Sequence, residues 1–266
     1  MSWDPAQYLK FAGERARPAI DLIGRIPLAA PRAIVDLGCG AGNVTRLLAE
    51  RWPEAEITGV DRSAAMLAAA RESTRGDRRF AWIEAELATW QPGRDAARPD
   101  VLFSNAALHW LDDHSTLFPR LLAAVAADGV LAVQMPCNFG APSHVALRAV
   151  ATGARWRGRL APLVRPSPVA AAADYFRWLA PYAATLDLWD TEYLHVLVPT
   201  GDGEHPVVAW TIGTALTPFF SVLDAEAQQA FLTDYRRLVA RDYPPEAEGR
   251  VLFPFRRRFL IARPRA

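Results

Sequence analysis

The chain has 266 residues, of which 51% are apolar, and this is enough to bury a large core in one domain. Its 30 basic and 29 acidic side chains give a formal net charge of +1, which favours neither nucleic acid nor a membrane surface as a partner. The two cysteines match no disulfide framework, and we find no secretory leader and no apolar run long enough to span a bilayer. We therefore expect a cytoplasmic protein without a metal that acts on a small molecule. We also expect a monomer or weak homodimer, although the composition does not determine the oligomeric state.

Residues 33–133 alternate short apolar runs with amphipathic stretches, which is the pattern of the β-α-β units that build a parallel sheet. The apolar runs are too short for helices and predict strands at 33–37, 57–60, 80–83, 101–104 and 130–134. Apolar residues at three- and four-residue spacing predict helices at 43–51, 63–72 and 115–126. Right-handed connections between such strands produce a doubly wound sheet.

The pattern changes after Pro136, where prolines and large aromatic residues replace the β-α-β alternation. We expect a helical insertion over 137–190, then a strand at 193–198, helices at 207–214 and 225–242, and a last strand at 255–262. The predicted fold is α/β: a doubly wound, mostly parallel seven-stranded sheet, Rossmann-like, with this helical insertion in the C-terminal half.

The last strands can close the far edge of the sheet, so we predict one domain over residues 1–266 rather than two. Within it we distinguish a helical N-terminal lid (1–30), a cofactor-binding core (31–136), the insertion (137–190) and a sheet-closing part with substrate contacts (191–266). Ligands of such sheets bind outside the carboxyl ends of the strands, so the functional residues are expected there.

An apolar strand ending at Asp36 leads into a helix through three alternating glycines, Gly38, Gly40 and Gly42. Glycines permit a tight turn and a close approach of the backbone to a ligand, while the helix offers unpaired N–H groups. The third glycine comes one residue earlier than in the dinucleotide fingerprint, with Asn43 in its place, which disfavours NAD. An acid at the strand end suits the cationic half of S-adenosylmethionine (SAM) better than a pyrophosphate. A plain glycine-rich turn is the alternative.

Acidic residues also follow the next two strands. Asp61 closes the second strand about 20 residues on, where a carboxylate can accept hydrogen bonds from both ribose hydroxyls. The alternative for Asp61 is an N-cap of the next helix, a role that Ser63 could equally fill. After the third strand, Glu84 or Glu86 can bind an adenine amino group beside Leu87, or the two acids can be solvated loop charges.

Together these motifs resemble the class I SAM-dependent methyltransferases, whose Asp-Leu-Gly-x-Gly-x-Gly hallmark matches residues 36–42. The resemblance implies SAM as the cofactor and no metal. The cofactor contacts that we predict are Asp36, Gly38, Cys39, Gly40, Gly42, Asn43, Asp61, Arg62, Met66, Glu86, Leu87, Asn105, Ala106 and Tyr8. In that family the loop after the fourth strand contacts both ligands, which implies positioning roles for Asn105, His109 and Trp110.

Segments outside the core are similar to the trans-aconitate 2-methyltransferase family. These segments are residues 3–11, 104–114, 134–138, 210–219 and 252–259, so the resemblance extends over nearly the whole chain. It implies methyl transfer from SAM to a carboxylate of trans-aconitate, or of a closely related small polycarboxylate, giving the monomethyl ester and S-adenosylhomocysteine. Because a carboxylate is already ionised at neutral pH, this transfer needs no general base, and catalysis would consist of positioning and exclusion of water.

A small trianion needs cations and N–H donors, and arginine can bind a carboxylate through two parallel hydrogen bonds. Three consecutive arginines, Arg256, Arg257 and Arg258, lie along the predicted last strand, with Arg257 facing opposite to the other two. They are our candidates for the substrate. The alternative is a solvated edge strand whose charges prevent further pairing.

Aromatic residues are the other substrate candidates. Trp3, Tyr8 and Trp110 can form a lid that excludes water, or they can simply pack an N-terminal helix, an alternative that applies above all to Trp3. We expect His109 to hydrogen-bond a substrate carboxylate rather than to act as a base. Two other functions stay open: a methyltransferase with a hydroxyl or carbon acceptor, where His109 would be a base, and a SAM-binding protein without catalysis.

Overall fold

The computed structural model of the protein describes residues 12–93, 97–199, 201 and 203–265. The strands in this part of the chain are β1 (Ala33–Leu37), β2 (Glu56–Asp61), β3 (Phe80–Glu84), β4 (Val101–Asn105), β5 (Val130–Pro136), β6 (Ala183–Leu197) and β7 (Val251–Pro264). The helices are α1 (Ala12–Arg25), α2 (Asn43–Arg51), α3 (Ala64–Ser73), α4 (His114–Ala123), α5 (Pro142–Thr152), α6 (Arg157–Leu160), α7 (Ala172–Leu179), α8 (Pro206–Ile212), α9 (Thr217–Phe220) and α10 (Ala225–Asp242). Short 3₁₀ turns cover Leu108–Trp110, Ala161–Leu163 and Ala247–Gly249.

These strands join in a seven-stranded sheet of order β3-β2-β1-β4-β5-β7-β6. The pairs β1/β2, β1/β4, β2/β3 and β4/β5 are parallel, and the pair β5/β7 is antiparallel. The chain builds the sheet to one side from β1 to β3 and to the other side from β4 onwards, which is the doubly wound arrangement. The predicted seven-stranded, mostly parallel α/β sheet is confirmed.

Helices α3 and α10 each begin after a side chain that caps them. The Ser63 hydroxyl accepts from the Met66 N–H at 3.3 Å before α3, and the Asp224 carboxylate accepts from the Ala227 N–H at 2.9 Å before α10. These bonds satisfy N–H groups that the first helical turn leaves unpaired. Gly42 precedes α2 with a φ of 77°, a left-handed conformation that glycine adopts without strain.

The described residues form two compact units. The first, here called the sheet unit, comprises residues 16–136, 168–191 and 257–265. Its core surrounds the central strands β4 and β5, which are buried along nearly their whole length. The buried side chains include Ile34, Leu37, Leu48, Ile57, Val60, Leu67, Phe103, Phe118, Leu121 and Val133. Because both faces of such strands are covered, they occur in the sequence as continuous apolar runs.

The second unit, here called the helical unit, comprises residues 12–15, 137–167 and 192–256. Its core is rich in aromatic side chains, among them Trp156, Trp210, Phe231, Tyr235 and Phe253. The Trp156 indole N–H donates to an Asp234 carboxylate oxygen at 3.0 Å, which satisfies a buried donor. Within the described ranges, none of the helices is long and apolar enough to cross a membrane. One domain over residues 1–266 stays a prediction.

The predicted helical insertion over 137–190 ends earlier in the structure, because β6 begins at Ala183 and not at 193. Acidic residues are depleted in strands, and Asp187, Asp190 and Glu192 lie within this one. The Asp190 carboxylate accepts two hydrogen bonds from the Arg258 guanidinium, at 2.8 and 2.9 Å. The hydrogen-bonded pair with Arg258, which lies 68 positions further along the chain, therefore makes the Asp190 charge compatible with the strand.

Candidate functional site

The turn between β1 and α2 contains the three predicted glycines, with φ values of 78° at Gly38, 54° at Gly40 and 77° at Gly42. A Cβ on Gly38 would lie 2.2 Å from the Cβ of Ala107, in the loop after β4. A Cβ on Gly42 would lie 2.7 Å from the Trp82 indole, whereas the space beside Gly40 is open. Packing thus requires glycine at both ends of the turn, and the centre of the turn leaves its backbone accessible to a ligand.

The carboxylate of Asp36 is buried at the end of β1, with only 2% of the residue exposed. It accepts a hydrogen bond of 2.7 Å from the Thr45 hydroxyl in α2. Burial raises the pKa of Asp36 to about 7, an effect that the Thr45 hydrogen bond opposes and the Asp61 charge reinforces. A cationic ligand at the glycine turn would stabilise the ionised form, so Asp36 suits the positively charged half of SAM.

Asp61 ends β2 and fixes the same turn. One carboxylate oxygen accepts from the Gly40 N–H at 3.0 Å, and the other accepts from the Ser63 N–H at 2.9 Å. Ser63 is the N-cap of α3, so the alternative of Asp61 as that cap is wrong. Each carboxylate oxygen keeps a further lone pair, so Asp61 can still accept hydrogen bonds from two ribose hydroxyls.

Four other predicted cofactor contacts lie around this turn. Cys39 is buried within it, and burial raises the pKa of the Cys39 thiol, so the sulfur stays protonated. Asn43 is exposed at the start of α2, and its Oδ1 accepts from the Arg46 guanidinium at 3.1 Å. Arg62 is exposed and Met66 half-buried at the beginning of α3. Cys39 and Asn43 therefore lie in or next to the glycine turn, whereas Arg62 and Met66 lie in the segment that follows Asp61.

The loop after β3 contains the predicted adenine contacts. The Ala85 N–H donates to the Asp61 carbonyl at 3.1 Å, which holds the start of this loop against the end of β2. Leu87 is half-buried, and its Cδ1 lies 3.4 Å from the position that a Gly38 Cβ would occupy. Glu84 and Glu86 are exposed. The structure thus brings Leu87 to the glycine turn and leaves both acids in contact with solvent.

The loop after β4 contains the three predicted positioning residues. Asn105 ends the strand, and its Oδ1 is buried with no hydrogen-bond partner among the described residues. The next residue, Ala106, has a φ of 53°, and its N–H donates to the Gln134 carbonyl in β5 at 2.9 Å. His109 is buried and Trp110 is 59% exposed, with their ring centroids 4.7 Å apart. All three candidates therefore lie at the carboxyl edge of the sheet.

His114 was not predicted as a site residue, yet it fixes this loop. Its Nε2 lies 3.0 Å from the Leu108 carbonyl oxygen, and its Nδ1 lies 2.6 Å from the Tyr175 hydroxyl in α7. Since a carbonyl only accepts, Nε2 donates its proton to Leu108, and Nδ1 accepts from the hydroxyl. Burial lowers the pKa of His114, so the neutral ring that this pattern requires persists at neutral pH.

The three arginines of β7 have different surroundings. Arg256 is exposed, whereas Arg257 and Arg258 are buried. Arg258 donates to both carboxylate oxygens of Asp190 and to the Ala170 carbonyl. Because β7 lies between β5 and β6, the alternative of a solvated edge strand is wrong. The Arg258 guanidinium is bonded to protein groups, and contacts of the three arginines with a substrate stay a prediction.

Trp3 and Tyr8, which were predicted to form a lid with Trp110, lie outside the described residues. The lid therefore also stays a prediction. Over the described ranges, no three His, Cys, Asp or Glu side chains are grouped so that they could hold a metal ion.

The carboxyl edge of the sheet fits SAM in three respects. The backbone at Gly40 is open to a ligand, since nothing lies within 4 Å of where its Cβ would be. The raised pKa of Asp36 indicates a carboxyl group that a nearby cation would ionise. Asp61 retains acceptor capacity towards hydroxyl groups. These residues would hold the amino acid, sulfonium and ribose parts of the cofactor.

Comparison with known proteins identifies the family. The family model of a methyltransferase domain matches residues 34–129. A trans-aconitate 2-methyltransferase from Methylobacterium nodulans is 48% identical over 262 residues, which cover 98% of either chain. The chain belongs to the trans-aconitate 2-methyltransferase family. Family members from Azoarcus sp. and Streptomyces coelicolor are 45% and 44% identical, and both alignments cover 98% of this chain.

Solved structures agree with the fold of this trans-aconitate 2-methyltransferase family member. The YcgJ protein from Bacillus subtilis superposes with a TM-score of 0.60 at 12% identity, over 94% of this chain and 99% of that one. Phosphoethanolamine N-methyltransferase 2 from Haemonchus contortus, solved with SAM, gives 0.57 at 14% identity, over 97% of this chain and 56% of that longer one. At such low identity these likenesses establish the fold alone, and the Rossmann-like methyltransferase fold is confirmed.

Two buried amides of this trans-aconitate 2-methyltransferase family member were not predicted as site residues. Gln134 in β5 and Asn138 shortly after it have no side-chain hydrogen-bond partner within the described part of the chain. Asn138 lines a cavity of about 530 Å³ in the helical unit, together with Cys137, Tyr243 and Arg256. A polar residue at the end of an otherwise apolar strand is the feature of the sequence that could have indicated Gln134.

Proposed function

We propose that the protein transfers the methyl group of SAM to a carboxylate of trans-aconitate, forming the monomethyl ester and S-adenosylhomocysteine. The observation that carries this proposal is the 48% identity to the Methylobacterium nodulans trans-aconitate 2-methyltransferase over 98% of either chain. The methyltransferase domain itself accounts only for residues 34–129. The similarity therefore also includes the segments outside that domain, where families with different acceptors are expected to differ.

The cofactor would lie along the carboxyl ends of β1, β2 and β3. Asp36 supplies negative charge beside the glycine turn, Asp61 accepts from the ribose hydroxyls, and Leu87 forms an apolar wall for the adenine. The remaining proposed contacts are Gly38, Cys39, Gly40, Gly42, Asn43, Arg62, Met66, Glu86, Asn105, Ala106 and Tyr8. When bound, SAM supplies an electrophilic methyl group on a sulfonium. Burial of Asp36 strengthens its attraction for the positive charge, because the surroundings screen it less than water.

The acceptor would be positioned by the loop after β4. A carboxylate is ionised at neutral pH, so no side chain has to remove a proton from it. The Asn105 amide and the His109 ring would hydrogen-bond the acceptor, and the exposed apolar surface of Trp110 would exclude water on binding. His114 holds this loop through the Leu108 carbonyl, which limits the freedom of the positioning residues.

Binding a trianion also requires positive charge. Arg256 and Arg257 are the proposed cationic contacts, with Trp3 and Tyr8 as lid residues. The Arg258 guanidinium binds both carboxylate oxygens of Asp190, so its proposed contribution is to hold β6 against β7. This assignment separates a structural arginine from two candidates for substrate binding.

The test is release of S-adenosylhomocysteine by the purified protein with SAM and a panel of acceptors. The panel contains trans-aconitate, cis-aconitate, isocitrate and citrate, with a phenol as the hydroxyl control. We expect turnover to be greatest with trans-aconitate and, at a SAM concentration that saturates the enzyme at every pH, independent of pH through the histidine range. Faster turnover of the phenol, with a rate that falls as a histidine becomes protonated, would indicate a hydroxyl acceptor and a base. SAM binding without turnover of any acceptor would indicate a protein that binds SAM without catalysis.

A further inference from the structure

Gln134 in β5 is a fully buried glutamine whose side-chain amide has no hydrogen-bond partner in the described part of the chain. The residue is 0% exposed, and neither its Nε2 nor its Oε1 has a hydrogen-bond partner among the described residues. Buried amide groups are normally satisfied, because an unmade hydrogen bond in the interior costs the desolvation of that group. The Nε2 and Oε1 atoms of Gln134 therefore indicate a ligand that would form the missing hydrogen bonds with them.

The neighbours of Gln134 place it at the functional edge of the sheet. In the parallel register of β4 and β5 it lies opposite Asn105, whose Oδ1 also has no partner within the described ranges. The Gln134 carbonyl accepts from the Ala106 N–H at 2.9 Å, which joins the two strand ends. On the other side it lies opposite Phe259, whose ring stacks on Trp189 at 4.9 Å. Two amides thus lie side by side on one face, next to an aromatic wall.

We propose that Gln134 is a substrate-binding residue, whose Nε2 donates a hydrogen bond to a carboxylate oxygen of the acceptor beside Asn105. This inference rests on the proposed function, since it takes the acceptor to be a carboxylate. An amide N–H to a carboxylate is a charge-assisted hydrogen bond, stronger than one between neutral groups. Because the glutamine amide is neutral, it can provide this bond without another positive charge in the interior of the sheet unit.

The strand order explains why Gln134 would contact the acceptor and not the cofactor. The glycine turn follows β1 and Asp61 ends β2, whereas β5 lies beyond β4 on the opposite side of β1. With neighbouring strands about 4.8 Å apart, β5 is roughly 10 Å from β1. The methyl group would be transferred from the cofactor towards the side of β4 and β5, because β4 and its loop contain the proposed acceptor contacts.

The experiment compares Gln134→Met and Gln134→Glu with the wild-type protein. Methionine keeps the approximate shape of glutamine and removes both polar atoms. For Gln134→Met we expect the KM for trans-aconitate to rise about tenfold or more, the factor that one charge-assisted hydrogen bond provides. Because Gln134 would not contact the cofactor, the dissociation constant of SAM should stay within about twofold of the wild-type value. The melting temperature should be unchanged or higher, since the variant removes two buried polar atoms without partners among the described residues. Gln134→Glu should lower kcat/KM further, with partial recovery at lower pH as the new carboxyl group becomes protonated.

The matched control is Gln228→Met, because the Gln228 amide donates to the Phe220 and Leu223 carbonyls at 3.0 and 2.9 Å. This variant should lower the melting temperature and leave the KM for trans-aconitate unchanged. If the wild type methylates trans-aconitate and Gln134→Met has an unchanged KM, this inference is overturned and the proposed function stands. A rise in the SAM dissociation constant as large as the rise in KM would overturn it too. A wild type that methylates no carboxylate would overturn the proposed function, and the inference with it.

Discussion

The carboxyl edge of the sheet has two regions that differ in how their polar groups are satisfied. At the ends of β1 and β2, here called the cofactor side, Asp36 and Asp61 accept hydrogen bonds from hydroxyl and N–H groups of the chain itself. At the ends of β4 and β5, here called the acceptor side, polar atoms of Asn105 and Gln134 lack partners among the described residues. The cofactor side is therefore satisfied by groups of the chain itself, whereas we propose that the acceptor satisfies the polar atoms of the acceptor side.

This difference indicates how binding energy is divided between the two ligands. A preformed site binds its ligand with little further ordering, so we expect SAM to bind in the absence of acceptor. The acceptor gains hydrogen bonds from groups that are already desolvated, so small changes in its shape should alter affinity strongly. Four variants test this comparison, beginning with the one whose expected effect is largest.

Breaking the ion pair between Arg258 and Asp190 should have the largest effect, because it supports the acceptor side from the neighbouring strand. Their side chains are only 10% and 18% exposed. We expect Arg258→Gln to lower the free energy of unfolding by about 3 to 5 kcal/mol, as measured by urea denaturation. The control Arg177→Gln breaks an exposed pair with Asp174 and should cost at most about 1 kcal/mol. Equal losses in the two variants would contradict the structural role of Arg258.

Gly38→Ala should damage both sides at once. The new Cβ would meet Ala107 at 2.2 Å, and alanine is strained at a φ of 78°. We expect SAM binding, measured by calorimetry, to weaken by about 100-fold, because the turn and the β4 loop must both move. The control is Gly76→Ala, where φ is 87° but nothing lies within 4 Å of the new Cβ. That variant should lose some stability and keep its affinity for SAM, and similar SAM affinities in the two variants would contradict the packing argument.

Asp61→Asn tests the cofactor side alone. The variant keeps the shape of the side chain and removes the charge that would accept from two ribose hydroxyls. We expect the dissociation constant of SAM to rise by about 10- to 30-fold, with an unchanged KM for trans-aconitate at saturating SAM. Asp77→Asn, at a half-buried acid bonded to Arg79 and far along the chain from the glycine turn, is the control and should leave both constants unchanged. Unchanged SAM binding in Asp61→Asn would refute the ribose assignment.

Asp36 makes the cofactor side sensitive to pH, with the smallest expected effect of the four. Its pKa of about 7 lies above the ordinary value of 3.8, so its contribution to stability is largest in acid and is lost as pH rises towards 7. SAM favours the ionised carboxylate, so binding at about pH 6 should release a proton, and affinity should fall by up to about tenfold per pH unit below 7. Calorimetry in two buffers of different ionisation enthalpy measures this proton. It should disappear in Asp36→Asn, and equal proton release in that variant would exclude Asp36 as its source.

Much of the sheet could be predicted because its strands are buried on both faces. The bounds of β1, α2 and α10 agree with the predicted 33–37, 43–51 and 225–242, since each is an apolar or amphipathic pattern with clear ends. The start of β6 could not be predicted in the same way. One of its acidic residues, Asp190, is compensated by Arg258, which lies far along the chain. Local patterns do not contain information of that kind.

The same distinction applies to the candidate site. The glycine turn and Asp61 could be predicted because their spacing is local and each ends a recognisable strand. Gln134 was missed although it ends a predicted apolar strand, because only the placement of β4 and β7 on either side of it shows how fully its side chain is buried. His114 was missed for a related reason, since its role depends on Tyr175, which is 61 residues away.

The close packing of Gly38 against Ala107 also limits how the range of acceptors can change during evolution. Ala107 already occupies the place of a Gly38 side chain, so a bulkier residue at position 107 would press on the glycine turn. A mutation in the β4 loop that reshapes the pocket for a new acceptor would therefore weaken the methyl donor site at the same time. Selection for new substrates, in nature or in the laboratory, should find more tolerant positions along β5 and β7.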